Sequence, residues 1–153
     1  MKNIKIRPAE IKDLDTLRQF EQGVVTAERS FDPTIRPDNV TYYDIEDLIV
    51  DPHIQLLVAE LDGEVIGSGY ARIENSKPEL RHRQHAYLGF MYVLQQYRGK
   101  GVNGLILSAL KNWAAANGIS ELRLEVYNAN ESAITAYEKF GFGSHMLVMR
   151  MGL

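Results

Sequence analysis

The run Val93-Leu94-Gln95-Gln96-Tyr97-Arg98-Gly99-Lys100-Gly101-Val102-Asn103-Gly104 passes from apolar residues into glycines and then into a helical pattern. Just upstream, Ala86 to Leu94 is apolar at both parities. Ala86, Leu88, Phe90, Tyr92 and Leu94 alternate with Tyr87, Gly89, Met91 and Val93. A strand apolar on both sides is covered on both sides, so this one lies inside a sheet. Just downstream, Val102, Ile106, Ala109, Leu110 and Trp113 share one helical face, and Gly118 suits the end of that helix. A central strand therefore feeds a helix through glycines. Helix starts leave backbone amides unpaired and carry partial positive charge. Glycines admit a ligand to that backbone, and Arg98 and Lys100 add full charges. The combination suits a phosphate or pyrophosphate; the plainer reading is that the glycines only turn the chain.

Outward from this run, the remaining elements follow from periodicity and turn residues. Asn3–Arg7 alternates and meets Pro8, which predicts a short strand. Ile11, Leu14, Leu17 and Phe20 recur at helical spacing, and Pro33 and Pro37 stop that helix within Glu28–Asn39. A shorter helix is expected over Tyr42–Val50, before Pro52. His53–Leu61 and Glu64–Glu74 read as strands joined at Asp62-Gly63, a two-residue hairpin signal. Asn75–Arg83 reads as a solvated loop. After the glycine-led helix, Ser120–Tyr127 alternates with Leu122, Leu124 and Val126 on one side, which predicts a strand. Asn130–Phe140 is a helix with Ala133, Ala136, Tyr137 and Phe140 on one face. Gly141 suits its left-handed cap, with Phe142 folding back. Ser144–Met151 is expected as a final strand. The order is strand, two helices, three strands, helix, strand, helix, strand: a mixed α/β (α+β) sheet with helices packed on it.

Composition excludes several classes. The chain has 153 residues, 45% of them hydrophobic, a net charge of −3 and no cysteine. Its length and even texture fit a single domain over 1–153 with a core of its own. Without cysteine there are no disulfides, thiolate metal sites or acyl-cysteine intermediates. No apolar run approaches a membrane span, and Met1–Glu10 does not resemble a signal peptide, so a cytoplasmic protein is expected. Mild acidity argues against nucleic acid. The basic loop Lys77–His85 is small and poor in aromatics, and fits a solvated hairpin end. His82-x-x-His85 has a metal-like spacing but no cysteine or evident acidic partner, so no metal site is expected. Gly99-x-Gly101-x-x-Gly104 matches the dinucleotide fingerprint literally. Antiparallel-looking strands precede it, however, and no ribose-binding acid ends the next strand. The Gly-Lys-Ser/Thr of a P-loop is absent.

Two motifs together resemble the GNAT superfamily of N-acetyltransferases along nearly the whole chain. Gln96-x-x-Gly99-x-Gly101, directly after Leu88–Val93, looks like its acyl-CoA-binding motif. Asn130-x-x-Ala133-x-x-x-Tyr137-Glu138-Lys139-Phe140-Gly141-Phe142 looks like its second motif. The resemblance implies a mixed, mostly antiparallel sheet of about six to seven strands, splayed between the fourth and fifth, with about four helices. It implies acetyl-CoA as cosubstrate, its pantetheine lying along Met91–Leu94 in the gap facing Leu122–Tyr127. The Met91 amide would stabilise the thioester oxyanion, and the backbone of Val93 would hold the pantetheine amides. The amides of Arg98, Gly99, Lys100, Gly101, Val102 and Asn103, with Gly104 beside them, would hold the pyrophosphate. Gly104 follows Asn103, which stands where a third glycine is common. Asn130 would bond the pantetheine arm, though Asn equally suits a helix N-cap. Tyr137 would protonate the leaving thiolate, though a core tyrosine fits the same spacing.

The implied reaction is direct attack of a primary amine on the thioester in a ternary complex. The alternative is a non-catalytic acyl-CoA or nucleotide sensor. Many family members carry a basic glutamate on the fourth strand; Tyr87, Leu88 and Gly89 occupy that stretch here. Glu125, Glu74 or a water chain is left as general base. The acceptor is a small-molecule or peptide amine, expected near the first two helices. Thr26–Asp51 there holds seven acids against two bases, which suits a cation or is ordinary acidic surface. Phe31, Tyr42 and Tyr43 could line the same pocket or simply pack. The family often forms homodimers, but nothing in the sequence marks an interface.

Overall fold

The computed structural model describes residues 3–153. Strand β1 (Lys5–Pro8) leads through a 3-10 turn, Ile11–Asp13, into helix α1 (Leu14–Arg29), and α2 (Ile45–Val50) follows. Strands β2 (Ile54–Leu61), β3 (Glu64–Asn75) and β4 (Gln84–Val93) form an antiparallel meander. A 3-10 turn at Gln95–Tyr97 leads to α3 (Val102–Ala116), a two-residue strand β5 (Leu122–Arg123) and α4 (Glu131–Phe140). The sheet runs β1-β2-β3-β4-β5, and only the β4–β5 pairing is parallel. Among the described residues the sheet therefore has five strands rather than six or seven, in mixed orientation, with four helices.

Alternation along the strands builds two cores. Leu57 and Ala59 of β2 join Ile66, Ala71, Ala86 and Leu88 beneath Ile106, Leu107 and Leu110 of α3. Leu56 and Val58 face the other way, with Tyr70 and Phe90, toward Leu17 and Phe20 of α1 and Leu48 of α2. The Asp62-Gly63 turn forms with both residues at positive φ, 51° and 82°. The arginine of β1 is locked in place. Arg7 donates from Nη1 and Nη2 to Asp13 at 2.8 and 2.9 Å, and from Nε to Glu60 at 2.7 Å.

Three boundaries depart from the sequence expectation. First, α2 starts at Ile45 and not at Tyr42. The buried Glu21 carboxylate accepts the amides of Tyr42 and Tyr43 (2.8 and 2.7 Å), holding them outside the helix. Asp44 then caps α2 by accepting from the Asp47 amide at 3.1 Å. Second, pairing on β5 covers Leu122–Arg123 alone rather than Ser120–Tyr127. Third, Ser144–Met151 forms no strand: it runs without turn or bend and joins no ladder among the described residues. No side chain after Ala114 is fully buried.

The even–odd reading of Ala86–Leu94 also fails midway, for a physical reason. Tyr70 pairs with Gly89 and Ser68 with Tyr92, so Phe90 and Met91 together stand opposite Gly69. This is a β-bulge. Phe90 adopts φ 55°, unusual for a bulky side chain. Beyond the bulge the faces exchange: Ala86 and Leu88 face α3, Phe90 turns to the α1 side, and Met91 and Val93 return to the α3 side.

Candidate active site

The bulge and the glycine turn lie at the same end of β4. Ser68 Oγ donates to the Phe90 carbonyl (2.9 Å) within the core, and the Tyr43 ring stacks on Phe90 with centroids 4.6 Å apart. These contacts hold the left-handed residue. Met91 fills the space over Gly69, where a Cβ would lie 2.5 Å from the methionine sulfur. On the far side, β4 pairs with β5 only through Ala86↔Leu122 and Tyr87↔Arg123. From Leu88 onward the two segments part, leaving the edge of Met91–Leu94 unzipped beside Leu124–Tyr127.

The glycine turn is open. Gly99 and Gly101 take φ 74° and 83°, which other residues adopt at a cost. A Cβ added at Gly99, Gly101 or Gly104 would meet no atom within 4 Å. The ladder of α3 begins where Leu105 N–H reaches the Gly101 carbonyl at 3.2 Å. The amides of Val102, Asn103 and Gly104 come before that first rung, and no side chain caps the helix. An unplugged, amide-lined helix start next to a parted sheet fits a diphosphate with an extended tail.

Arg98 is engaged by its own chain in this structure. Its amide donates to the Gln95 carbonyl (3.2 Å). Its Nε donates to the Val93 carbonyl (2.8 Å), and its guanidinium lies 5.5 Å from the Tyr92 ring centroid. Arg98 thus turns back on β4 and engages the Val93 oxygen. Lys100 lies over the Tyr97 ring at 5.7 Å.

Asn130 caps α4, accepting from the Ala133 amide at 3.3 Å. Gly141 closes the helix at positive φ, and Phe142 folds back with its amide on the Tyr137 carbonyl (3.0 Å). Tyr137 packs against the α3-side core to which Met91 and Val93 also belong. Burial alone pushes its phenol above the ordinary value.

Of the general-base candidates, Glu74 is engaged. It accepts from Arg72 (2.6 and 2.7 Å) and meets His85 Nε2 at 3.4 Å. Glu125 is exposed on the unzipped segment, near enough to Tyr87 to help burial push that phenol up to about 12. His82 meets Glu121 at 3.1 Å, so the two histidines serve different acids. Among the described residues no cluster suits a metal ion.

The acids and aromatics that the sequence offered for an acceptor pocket are joined by Tyr127, which it did not. Phe31 stacks on Tyr127, with centroids 5.9 Å apart. The Tyr127 hydroxyl approaches Asp32 Oδ2 at 3.4 Å. Asp32 accepts from Thr34 and from Arg150 (3.1 Å), and these hydrogen bonds bring its pKa down to about 2. Glu28 shares a hydrogen bond with the Tyr42 hydroxyl, and burial raises the Glu28 carboxyl. Tyr42 is pushed up to about 12 by burial and by Glu28. The acids were visible as charge. Their gathering around Tyr127 was not, because Tyr127 lies about a hundred residues away in the chain.

Comparison with known proteins agrees with this geometry. Residues 20–142 match the family model described as the acetyltransferase (GNAT) family. An N-alpha-acetyltransferase of Sulfurisphaera tokodaii is 31% identical over 148 residues, covering 92% of this chain and 81% of that protein. A mutant BH1408 protein of Bacillus halodurans superposes with a TM-score of 0.89 at 19% identity, over 97% of this chain and 99% of that one. A predicted acetyltransferase of Clostridium acetobutylicum, crystallised with acetyl-CoA, has a TM-score of 0.75 at 19% identity, over 98% and 96% of the two chains.

Proposed function

Because the chain belongs to the acetyltransferase (GNAT) family, we propose that it moves an acetyl group from acetyl-CoA to a primary amine by direct attack, with both substrates bound. The observation that carries this reading is the unzipped β4–β5 edge leading to an unplugged glycine turn. Acetyl-CoA supplies the thioester whose acyl group is transferred. The amides of Gly99 through Gly104 hold its pyrophosphate, and the free edge of Met91–Leu94 aligns the pantetheine. Arg98 steadies the Val93 carbonyl rather than gripping phosphate.

The Met91 amide, released from the ladder by the bulge, donates to the acyl oxygen as charge develops there. Tyr137 keeps its proton through the working pH range, since burial raises an already high pKa. It is the donor to the departing sulfur. Asn130 caps α4 and so sets the position of Tyr137.

The acceptor enters past Glu28, Asp32, Tyr42 and Tyr127. Acids set among aromatic faces attract a cation and shed its water. The amine is then deprotonated by Glu125 or through water, Glu74 being committed to Arg72. The name of the Sulfurisphaera relative favours a peptide amino terminus as acceptor.

Calorimetry with acetyl-CoA, CoA and NAD tests the ligand class; NAD binding without CoA binding overturns the reading. Thiol release is then measured over a panel of peptides and small amines. Release above hydrolysis with one class of amine supports transfer. Release with none, in a protein that binds acetyl-CoA, leaves a non-catalytic sensor.

A further inference from the structure

Gly89 of β4 lacks a side chain for want of room, not for conformational freedom. It is not among the glycines at positive φ, so an ordinary residue fits its backbone. A Cβ there, however, would lie 2.5 Å from Cζ of Tyr70 and nearer still to the hydroxyl oxygen. Tyr70 and Gly89 are direct partners in the β3–β4 ladder. The tyrosine thus lies across its partner strand and sets its hydroxyl down on the backbone of β4. The opposite edge of β4 is the one that parts from β5 after Tyr87.

The ring is fixed there. Tyr70 is 3% exposed and meets Tyr43 edge-on, with centroids 6.0 Å apart. The Arg72 guanidinium lies 5.5 Å from the Tyr70 centroid and is itself held by Glu74, to which its Nε donates at 2.7 Å. The same face carries acids already placed along the amine's route. Glu125 acts on the Tyr70 and Tyr87 phenols, and Glu28 of the acceptor entrance acts on Tyr43 together with those two tyrosines. Burial raises the Tyr70 phenol. It therefore remains a neutral hydroxyl, with a hydrogen to give and lone pairs to accept with. Between Tyr87 and Met91, β4 itself offers only Leu88, Gly89 and Phe90, none of them polar in the side chain. The hydroxyl over this stretch comes from β3.

We propose that the Tyr70 hydroxyl orients the acceptor amine, accepting a hydrogen bond from its N–H so that the nitrogen lone pair faces the thioester held at the Met91 amide. This rests on the acetyl-transfer reading above and adds to it the group that holds the nucleophile. Gly89 stands two residues before Met91. A hydroxyl at the first and an amide at the second bracket the reacting centre, one for the attacking nitrogen and one for the oxygen on which charge gathers. Tyr70 neither gains nor loses a proton. The nitrogen bonds to the acyl carbon, and the C–S bond breaks with its electron pair on sulfur. Tyr137 supplies the sulfur's proton, and the nitrogen's surplus proton goes to Glu125 or water. Gly89 is then a requirement of the site, since any side chain there displaces the hydroxyl.

Steady-state thiol release over the amine panel, read beside calorimetric acetyl-CoA affinity and urea midpoints, tests this. Tyr70→Phe keeps the ring and deletes one oxygen. Its kcat/KM for the amine should fall by ~10-fold or more, the scale of a misplaced nucleophile, with acetyl-CoA affinity nearly unchanged. Gly89→Ala keeps the oxygen but displaces it, and should lose as much. Changes that act on one hydroxyl do not add, so the double variant should lose no more than either alone. If one variant does not fold, the other carries the test. A folded variant with a smaller loss, a matching loss of acetyl-CoA affinity, or additive losses in the double variant overturns the assignment and leaves acetyl transfer standing. A parent that releases no thiol with any amine overturns acetyl transfer itself, and this assignment with it.

Discussion

Tyr137→Phe removes one oxygen from a packed ring and leaves its contacts with Phe142 in place. We expect kcat to fall by ~10²-fold, the lower range for loss of a general acid, with acetyl-CoA affinity nearly unchanged. Steady-state rates beside calorimetric affinities check this; an unchanged kcat in a folded protein removes the phenol from the chemistry. Asp13 is a different kind of buried group. Its side chain is 5% exposed and receives both Arg7 nitrogens. Asp13→Asn strips the main counter-charge from a guanidinium that is itself 10% exposed, and should cost about 3 kcal/mol, read from urea midpoints. Individual roles of this kind were only partly legible beforehand. Asn130 could be seen as a cap, a ligand or both, and the cap hydrogen bond is present in the structure. Arg98 looked like a phosphate cation because it immediately precedes the glycine turn. Its actual partner, the Val93 carbonyl, depends on how the chain doubles back.

At the level of elements, the glycine turn and α3 offer a test in which stability and binding move apart. Gly104 lies in the first turn of α3 with open space where its Cβ would be. Gly104→Ala should stabilise the helix by about 0.5–1 kcal/mol while lowering CoA affinity at least tenfold. A more stable protein with undiminished affinity would show that the ligand does not use that space. The strands, the hairpin at Asp62-Gly63 and the long helices were legible because periodicity and turn residues are local. The bulge was not. The residues Phe90 and Met91 give no local sign of a left-handed turn; Tyr43 and Ser68, distant in sequence, impose it. The shortness of β5 follows from the same cause, since a strand cannot stay paired with a neighbour that bends away. Tyr42 was assigned to α2 by pattern and is kept out of it by Glu21, a contact across the first two helices.

For the molecule as a whole, the ion cluster joining β1, the 3-10 turn and β2 predicts how the fold responds to acid. The pKa values of Asp13 and Glu60 are held low, first by hydrogen bonds from Arg7. Groups lowered in the folded state contribute stability above their unfolded pKa of about 4, and that contribution disappears as pH falls through the folded value. The urea midpoint should therefore drop as pH falls from 5 to below 3, and drop less in Asp13→Asn; parallel losses in both proteins would place the acid sensitivity elsewhere. Among the described residues no helix is long and apolar enough to cross a membrane. The strand expected over Ser144–Met151 does not form among the described residues, because strand character is written in a segment's own residues and the neighbour it needs is not. The last sealed side chain in the chain is Ala114, and this bears on manufacture as well as on shape. A nascent polypeptide leaving the ribosome amino terminus first can condense both cores before β5, α4 and the tail have emerged. The cleft wall that carries Tyr137 is then the late arrival, settling onto a body that is already solid.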